Sequence, residues 1–452
     1  MCKIFTVNFD DLNLGTPIKN ALKDLNFTEP TPIQEEAFPI ISSGKDVVGI
    51  AQTGTGKTYA YALPLLRNLK FSEQKHPRII ILVPTRELVV QVKTEMEKLT
   101  TYMTVRIKGV YGGTNINTQK QNVYDGCDIL VATPGRLLDI ALSGILRLKS
   151  VQKLVIDEVD EMLNLGFRKQ LTDLLDILPP KRQNLLFSAT MTVDVLKVIN
   201  EFFHEPVKIQ MAPTGTPLAQ IKQEAYLVPN FNTKLNLLVH ILQQTEDLTK
   251  VLIFVETKKL ADKLHEAYSE LIDGNIGVIH SNKSQNYRLR MIEEFASGEI
   301  RILIATDLIA RGIDVDNISH VINFDLPEIP ENYLHRIGRT GRANLGGHAI
   351  SLIGRQDDEL QVAIEELMNV SIPISKMPKE VEISTILTYD ETVNLGDINY
   401  LPSTSNKGVK GAHHEKKAKN QKVNLGGSYK EKIKAKYKKP KTRGQKPRGK
   451  KK

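Results

Sequence analysis

The sequence predicts an α/β protein of two tandem parallel-sheet domains, joined by a flexible linker and followed by a disordered basic tail. Three observations carry that expectation. Short β-branched runs alternate with helical patterns in two successive series, an almost uncharged stretch rich in Pro, Gly and Thr parts them, and positive charge is concentrated at the C-terminal end. At roughly 100–200 residues per domain, 452 residues hold two or three domains, each able to bury a core. Apolar residues at 41% and charged residues at 25% match a chain that mostly folds.

In the first series DVVGIA leads through a glycine-rich turn to TYAYALPLLRNL, and RIIILVP leads to TRELVVQVKTEMEKL. TVRIKGVYG, DILVAT, KLVIDE and QNLLFSAT complete it, each bounded by turns or helices. Apolar runs joined through helices belong to strands buried on both faces of a parallel sheet. The second series pairs KVLIFVE with KKLADKLHEAYSEL and IGVIHS with NYRLRMIEEFASG, then adds RILIATD, HVINFD, HAISLIG and DDELQVAIEELM. The expected boundaries are 1–210 for the first domain, 211–220 (MAPTGTPLAQ) for the linker, 221–375 for the second domain, and 376–452 for a polar extension running into the tail.

Charge divides the chain sharply. Residues 407–452 carry +17, which with a total of +9 leaves −8 on the preceding 406 residues. Such an end, poor in aliphatics, reads as an arm that neutralises phosphates. Cys2 and Cys127 are too few for a disulfide framework or a four-thiolate zinc site, and His413 and His414 lack Cys or acidic partners. Apolar runs such as Val251 to Val255 fall far short of the roughly 18 residues of a membrane span. MCKIFTVNFDDL lacks the basic start and apolar core of an export signal. A cytoplasmic protein with no membrane partner is expected.

AQTGTGKT (Ala51 to Thr58) lies where a strand ends and a helix begins. There Gly54 and Gly56 let backbone amides close around phosphate oxygens, and the helix N-terminus adds positive potential. Lys57 is placed for the β/γ-phosphates and Thr58 for Mg²⁺, with Gln52, Thr53 and Thr55 completing the loop. A carboxylate on a neighbouring strand is also needed. KLVIDEVD supplies it, because Leu154 to Ile156 is a buried strand and Asp157 and Glu158 emerge at its carboxyl end, where doubly wound sheets bind ligands. Asp157 can hold the metal's water shell while Glu158 polarises an attacking water.

With those two elements placed, further signatures follow in order: NFTEPTPIQ (Asn26 to Gln34), PTREL (Pro84 to Leu88), Gly112–Gly113, TPGR (Thr133 to Arg136), DEVD (Asp157 to Asp160), SAT (Ser188 to Thr190), VLIFVET (Val251 to Thr257), QNYR (Gln285 to Arg288), ATDLIARGID (Ala305 to Asp314) and HRIGRTGR (His335 to Arg342). The chain resembles the DEAD-box RNA helicases of superfamily 2 over about Phe9 to Leu367. Val159 replaces the Ala of the family's acidic signature, and Leu308 and Ile309 replace smaller residues; activity is expected to survive both departures.

The resemblance implies RecA-like domains that use ATP and Mg²⁺. Phe27 would stack on adenine, Gln34 would read its edge, and Asp314 would contact the ribose. Asp160, Ser188, Thr190 and His335 would couple the nucleotide to RNA and to the other domain. Charge builds on the γ-phosphate during phosphoryl transfer, and a supplied arginine is worth roughly 10³–10⁵ in rate. Arg339 and Arg342 lie on the second series, so they meet a phosphate held by the first only when the domains close. Arg336 is expected to bind within the interface.

RNA contacts are expected from Arg86, Gly113, Thr133, Gly135 and Arg136 in the first domain. Gln285, Arg288, Thr306, Arg311 and Gly312 in the second complete the set. Such backbone contacts carry no base code, so binding should be largely sequence-independent, with RNA distinguished through its 2′-hydroxyls. The tail would hold RNA phosphates as a tethered arm, the alternatives being a solubility tail or attraction to anionic lipid.

The expected activity is ATP-dependent, local and non-processive RNA unwinding or RNP remodelling by a bacterial-type monomer. Ribosome assembly, mRNA decay and cold adaptation, with ribosomal or degradosome-type RNPs as partners, are all compatible with it. Competing readings are an RNA clamp that uses ATP only to grip, disfavoured by intact Lys57, Glu158, Arg339 and Arg342, and a DNA translocase, disfavoured by NFTEPTPIQ and SAT.

Overall fold

The computed structural model describes residues 8–51, 54–211, 221–244, 248–271, 276–307, 315, 317–341, 346–388 and 391–392. Cys2, Gln52, Thr53, linker residues 212–220, Leu308, Ile309, Arg311, Gly312, Asp314, Arg342 and the basic tail lie outside the described residues.

The first lobe opens with α1 (Thr16–Asp24) and α2 (Pro32–Ser42). There follow β1 (Val47–Ile50), α3 (Lys57–Asn68), β2 (Ile79–Leu82), α4 (Arg86–Leu99), β3 (Ile107–Val110), α5 (Ile116–Tyr124), β4 (Ile129–Ala132) and α6 (Pro134–Leu142). The lobe closes with β5 (Lys153–Ile156), α7 (Val159–Asn164), α8 (Arg168–Ile177), β6 (Gln183–Ser188), α9 (Val193–Phe202) and β7 (Val207–Gln210). The strands form one sheet in the order β3-β4-β2-β5-β6-β1-β7, every pair parallel.

The apolar runs behave as strands covered on both faces must. Along β2, Ile79 and Ile81 enter one hydrophobic cluster and Ile80 and Leu82 the other, because successive side chains point to opposite sides. Each cluster lies under its own set of helices, so both faces of this sheet are sealed and chemistry is left to its edge.

The second lobe comprises β8 (Ile221–Leu227), α10 (Phe231–Gln244), β9 (Val251–Val255), α11 (Lys258–Leu271), β10 (Ile276–Ile279), α12 (Gln285–Ser297), β11 (Ile302–Thr306), β12 (His320–Asn323), α13 (Pro330–Ile337), β13 (Gly347–Ile353) and α14 (Asp358–Met368). Its strand order is β10-β11-β9-β12-β13-β8, again parallel throughout. Val251, Ile253 and Val255 of β9 fill one face while Leu252 and Phe254 fill the other.

The polar stretch after residue 375 forms no regular element among the described residues, yet it is anchored. Asn230, Asn232 and Asn236 donate side-chain amides to the carbonyls of Ser384, Ile386 and Glu382 at 2.7, 2.7 and 2.9 Å. Side-chain amides replace a sheet ladder here, which is why no apolar periodicity announced the contact.

Candidate nucleotide and RNA site

The nucleotide loop follows β1 and ends on the first residue of α3. Gly54 and Gly56 have φ of +84° and +87°, a region that side chains with a Cβ adopt at a cost. A Cβ on Gly56 would meet the side-chain amide of Gln34, which donates to the Gly56 carbonyl at 3.2 Å. Gln34 is held in turn by the Thr31 amide, which donates to its Oε1 at 3.1 Å. Phe27 is 45% exposed, its ring 5.2 Å from that of Tyr59, so an apolar face is open beside the loop.

Lys57 is buried at 6% exposure, and its ammonium has no hydrogen-bond partner among the described residues. A buried ammonium in that condition calls for an anion. Asp157 and Glu158 are buried beside it at the carboxyl end of β5. Burial pushes both carboxyls above their ordinary range, with the Lys57 charge acting in the opposite direction. Tyr61, which sequence reading missed, donates its hydroxyl to Asp157 Oδ2 at 3.1 Å. Burial, followed by the Asp157 charge, pushes the Tyr61 hydroxyl well up, so it remains a donor. The amide of Glu158 donates to Asp157 Oδ1 at 3.0 Å, and Glu158 itself takes a left-handed φ of +53° at the head of α7.

This donor set fits a nucleotide triphosphate with its metal. The unpartnered Lys57 suits phosphate oxygens, and the two crowded carboxylates suit a cation. No group of three or more His, Cys, Asp or Glu that could hold a metal ion is present among the described residues. Thr58 and Asp157 are the residues that could reach it.

Asp160, in the first turn of α7, accepts both the amide and hydroxyl of Thr190 at 2.9 Å, which ties the end of β6 to the end of β5. Ser188 is fully buried with its hydroxyl unpartnered among the described residues. From the second lobe, Arg339 is 3% exposed, and its charge acts on the carboxyl of Glu158 against the effect of burial. His335 lies in the last turn of α13, two residues before the helix ends, and its carbonyl accepts Arg339 Nε at 3.3 Å. Arg336 departs from the expectation of an interface contact. It is 1% exposed and bound inside the second lobe, bidentate to Asp307 at 2.6 and 2.8 Å over the Phe254 ring.

Among the candidate RNA residues, the Arg86 guanidinium packs where a Cβ on Gly113 would stand, and Gly113 has a φ of +80°, a conformation that glycine adopts without strain. Arg136 donates to Gln119 Oε1 at 2.8 Å and to the Thr114 carbonyl at 3.1 Å, which fixes the loop bearing Gly112 and Gly113. Thr133 is buried at the head of α6, and Gly135 is half-buried beside it. Thr306 ends β11 with 7% exposure.

Gln285 and Arg288 are brought together with a residue that the sequence reading passed over, Glu87 at the start of α4. Its Oε1 takes Arg288 Nη1 at 3.0 Å and Gln285 Nε2 at 3.3 Å, and the two charged side chains are 3% and 5% exposed. Arg288 therefore spends its charge on the opposite lobe instead of open surface. Only an acidic residue in a first helical turn signalled Glu87, and that ordinarily reads as dipole compensation.

Cys127 is buried, its thiol pushed up to about 12 by burial and the Asp128 charge. No helix among the described residues is long and apolar enough to cross a membrane.

Residues 31–198 match the DEAD/DEAH box helicase family, and residues 233–344 match the helicase conserved C-terminal domain. The chain is 39% identical over 383 residues to RNA helicase CrhR of Synechocystis, covering 85% of this chain and 77% of that protein. To the DEAD-box ATP-dependent RNA helicase CshA of Bacillus subtilis it is 37% identical over 374 residues, covering 82% and 75%. Among solved structures it resembles Saccharomyces cerevisiae Dbp5 bound to RNA and ADP BeF3, with a TM-score of 0.74, 27% identity, and 86% and 98% of the two chains covered. Both lobes thus match, the relatives are covered over three quarters of their length, and the chain belongs to the DEAD-box family of ATP-dependent RNA helicases.

Proposed function

We propose that this helicase cleaves ATP at a centre divided between its lobes and uses lobe closure to unwind RNA locally and non-processively. The observation that carries this reading is the buried, unpartnered Lys57 ammonium beside Asp157 and Glu158, with Arg339 of the opposite lobe acting on Glu158. Phe27 and Gln34 hold the adenine while Lys57 and the loop from Gln52 to Thr58 hold the phosphates. Mg²⁺ carried by Thr58 and the water shell of Asp157 would neutralise charge on the β- and γ-phosphates when bound. Glu158 orients a water in line with the γ-phosphorus. The new O–P bond forms as the bond to the β-phosphate oxygen breaks, ADP and phosphate result, and Arg339 with Arg342 stabilises the charge in transit.

RNA lies across both lobes on Arg86, Gly113, Thr133, Gly135 and Arg136, then Thr306, Arg311 and Gly312. Gln285 and Arg288 act beside them through the clasp on Glu87. Asp314 meets the ribose, while Asp160, Ser188, Thr190 and His335 relay nucleotide state to RNA grip. Closure accepts one strand and sheds its complement over a few base pairs, and phosphate release reopens the cleft. The division at 211–220 supplies the hinge, and the basic tail from about residue 407 holds RNA near the lobes. Ribosomal or degradosome-type RNPs are partners compatible with this chemistry.

ATP hydrolysis measured with RNA, with DNA and with neither tests the reading. Strong stimulation by RNA alone is expected. Equal stimulation by DNA, or turnover indifferent to both, would overturn it. Glu158→Gln should keep ATP and RNA binding while cutting turnover by about 10²–10⁴-fold.

A further inference from the structure

Arg339 stands two residues beyond the end of α13 and can serve a phosphate in the other lobe only if the end of that helix is held still. Its backbone amide donates to the carbonyl of Arg336 at 3.1 Å, so whatever fixes Arg336 fixes Arg339. Besides Asp307, Arg336 binds the carbonyl of Asp325 through Nη1 at 2.6 Å. Asp325 is a junction. Its Oδ2 accepts the amide of Glu256 at the end of β9 at 3.1 Å, and its Oδ1 pairs with Nζ of Lys234 at 3.1 Å. Lys234 Nζ also donates to the Phe324 carbonyl at 2.7 Å, and Lys234 is only 8% exposed.

Three strand ends therefore converge on one buried guanidinium: β11 through Asp307, β12 through Asp325, and β9 through the amide that Asp325 holds. Lys234 closes the arrangement from α10. The start of α10 is itself restrained, since Thr233 is bonded by Asn230 and by the amide of Ser384 from the anchored C-terminal stretch. Glu391 accepts the amide of Phe231 on the same turn.

We propose that Lys234 and Asp325 are positioning residues for phosphoryl transfer, bracing the helix that presents Arg339 to the first lobe. Neither reaches nucleotide or RNA in this scheme. An ammonium bonded to a carbonyl and a carboxylate at once fixes the β12 end in one place. A displacement of about 1 Å at a reacting group costs on the order of 10² in rate. The inference rests on Arg339 acting at the phosphate, and its test separates the two.

The test is a double-mutant cycle on the full chain. Lys234→Met, which keeps the side chain's length, is combined with Arg339→Ala, and RNA-stimulated kcat and KM for ATP are measured alongside thermal melting. Lys234→Met should lower kcat roughly ten- to hundred-fold with KM for ATP within about two-fold, and add little once Arg339 is gone. Asp325→Asn carries the same cycle if Lys234→Met does not fold. Unchanged kcat in the brace variants, or a full additional loss on top of a defective Arg339→Ala, overturns the brace alone. Wild-type turnover by Arg339→Ala overturns the role of Arg339 and the brace with it.

Discussion

Glu87→Gln is the sharpest perturbation of lobe closure, because it removes one charge and leaves the shape intact. In the structure the Glu87 carboxylate takes Arg288 at 3.0 Å and Gln285 at 3.3 Å, with both charged side chains almost wholly removed from water. A hydrogen bond to a charged group contributes about 1.5–3 kcal/mol net. Lobes that part return Arg288 and Glu87 to solvent, so the loss falls on the closing equilibrium and leaves the stability of either lobe largely untouched. At 1.4 kcal/mol per decade, this amounts to roughly a 10- to 150-fold shift. The assay is the RNA concentration giving half-maximal ATP turnover, read beside the affinity for a fluorescent ATP analogue. Half-saturation should rise by that factor while nucleotide affinity, set in the first lobe, stays within about two-fold. Unchanged half-saturation would show that the Glu87 clasp contributes nothing to lobe closure.

Other substitutions report on other parts of the account. Gly56→Ala forces a side chain into a left-handed φ of +87°, at about 1–2 kcal/mol, and against the amide of Gln34, so ATP analogue affinity should fall roughly ten-fold or more. Equal affinity would mean that the loop relaxes at no cost. Burial would raise the Asp128 carboxyl, but hydrogen bonds from Arg106 and Arg78 outweigh it and hold the group below its ordinary range. Its stabilisation is therefore present above the unfolded value of about 3.9 and lost as pH falls through the lowered folded value. Asp128→Asn should flatten the acid limb of Tm against pH, and a limb as steep as the wild type's would contradict that. Removing residues 407–452 should weaken RNA binding and reduce its dependence on salt, with turnover at saturating RNA nearly unchanged. Identical affinity with and without the segment would exclude it from RNA binding.

How much could be read beforehand depended on whether the signal was local. IIIL, ILVA, KLVI and VLIFV announced their strands because a sheet covered on both faces needs unbroken apolar runs, and the observed β2, β4, β5 and β9 coincide with them. The nucleotide loop was legible because strand, glycines and lysine are contiguous. Glu87 was not, since its partner Arg288 stands 201 positions along the chain and nothing near Glu87 distinguishes it from a solvated helix acid. Lys234 was hidden in the same way by an amphipathic helix, where lysines usually face water. Arg336 was expected at the interface because it stands inside an arginine-rich run. Its real environment depends on Asp307 and Phe254, which only the tertiary fold brings over it. Asn230, Asn232 and Asn236 gave no hint of their hold on residues 382–386, because side-chain to backbone bonds impose no hydropathy pattern.

The division of the catalytic centre is tested most directly on the first lobe alone, ending at Gln210. That lobe contains its own two hydrophobic clusters, one on each face of its sheet. ATP turnover by this fragment, measured with and without RNA at equal molarity to the full chain, should be negligible in both conditions, although the fragment binds an ATP analogue. Turnover equal to that of the intact protein, and indifferent to RNA, would contradict the account.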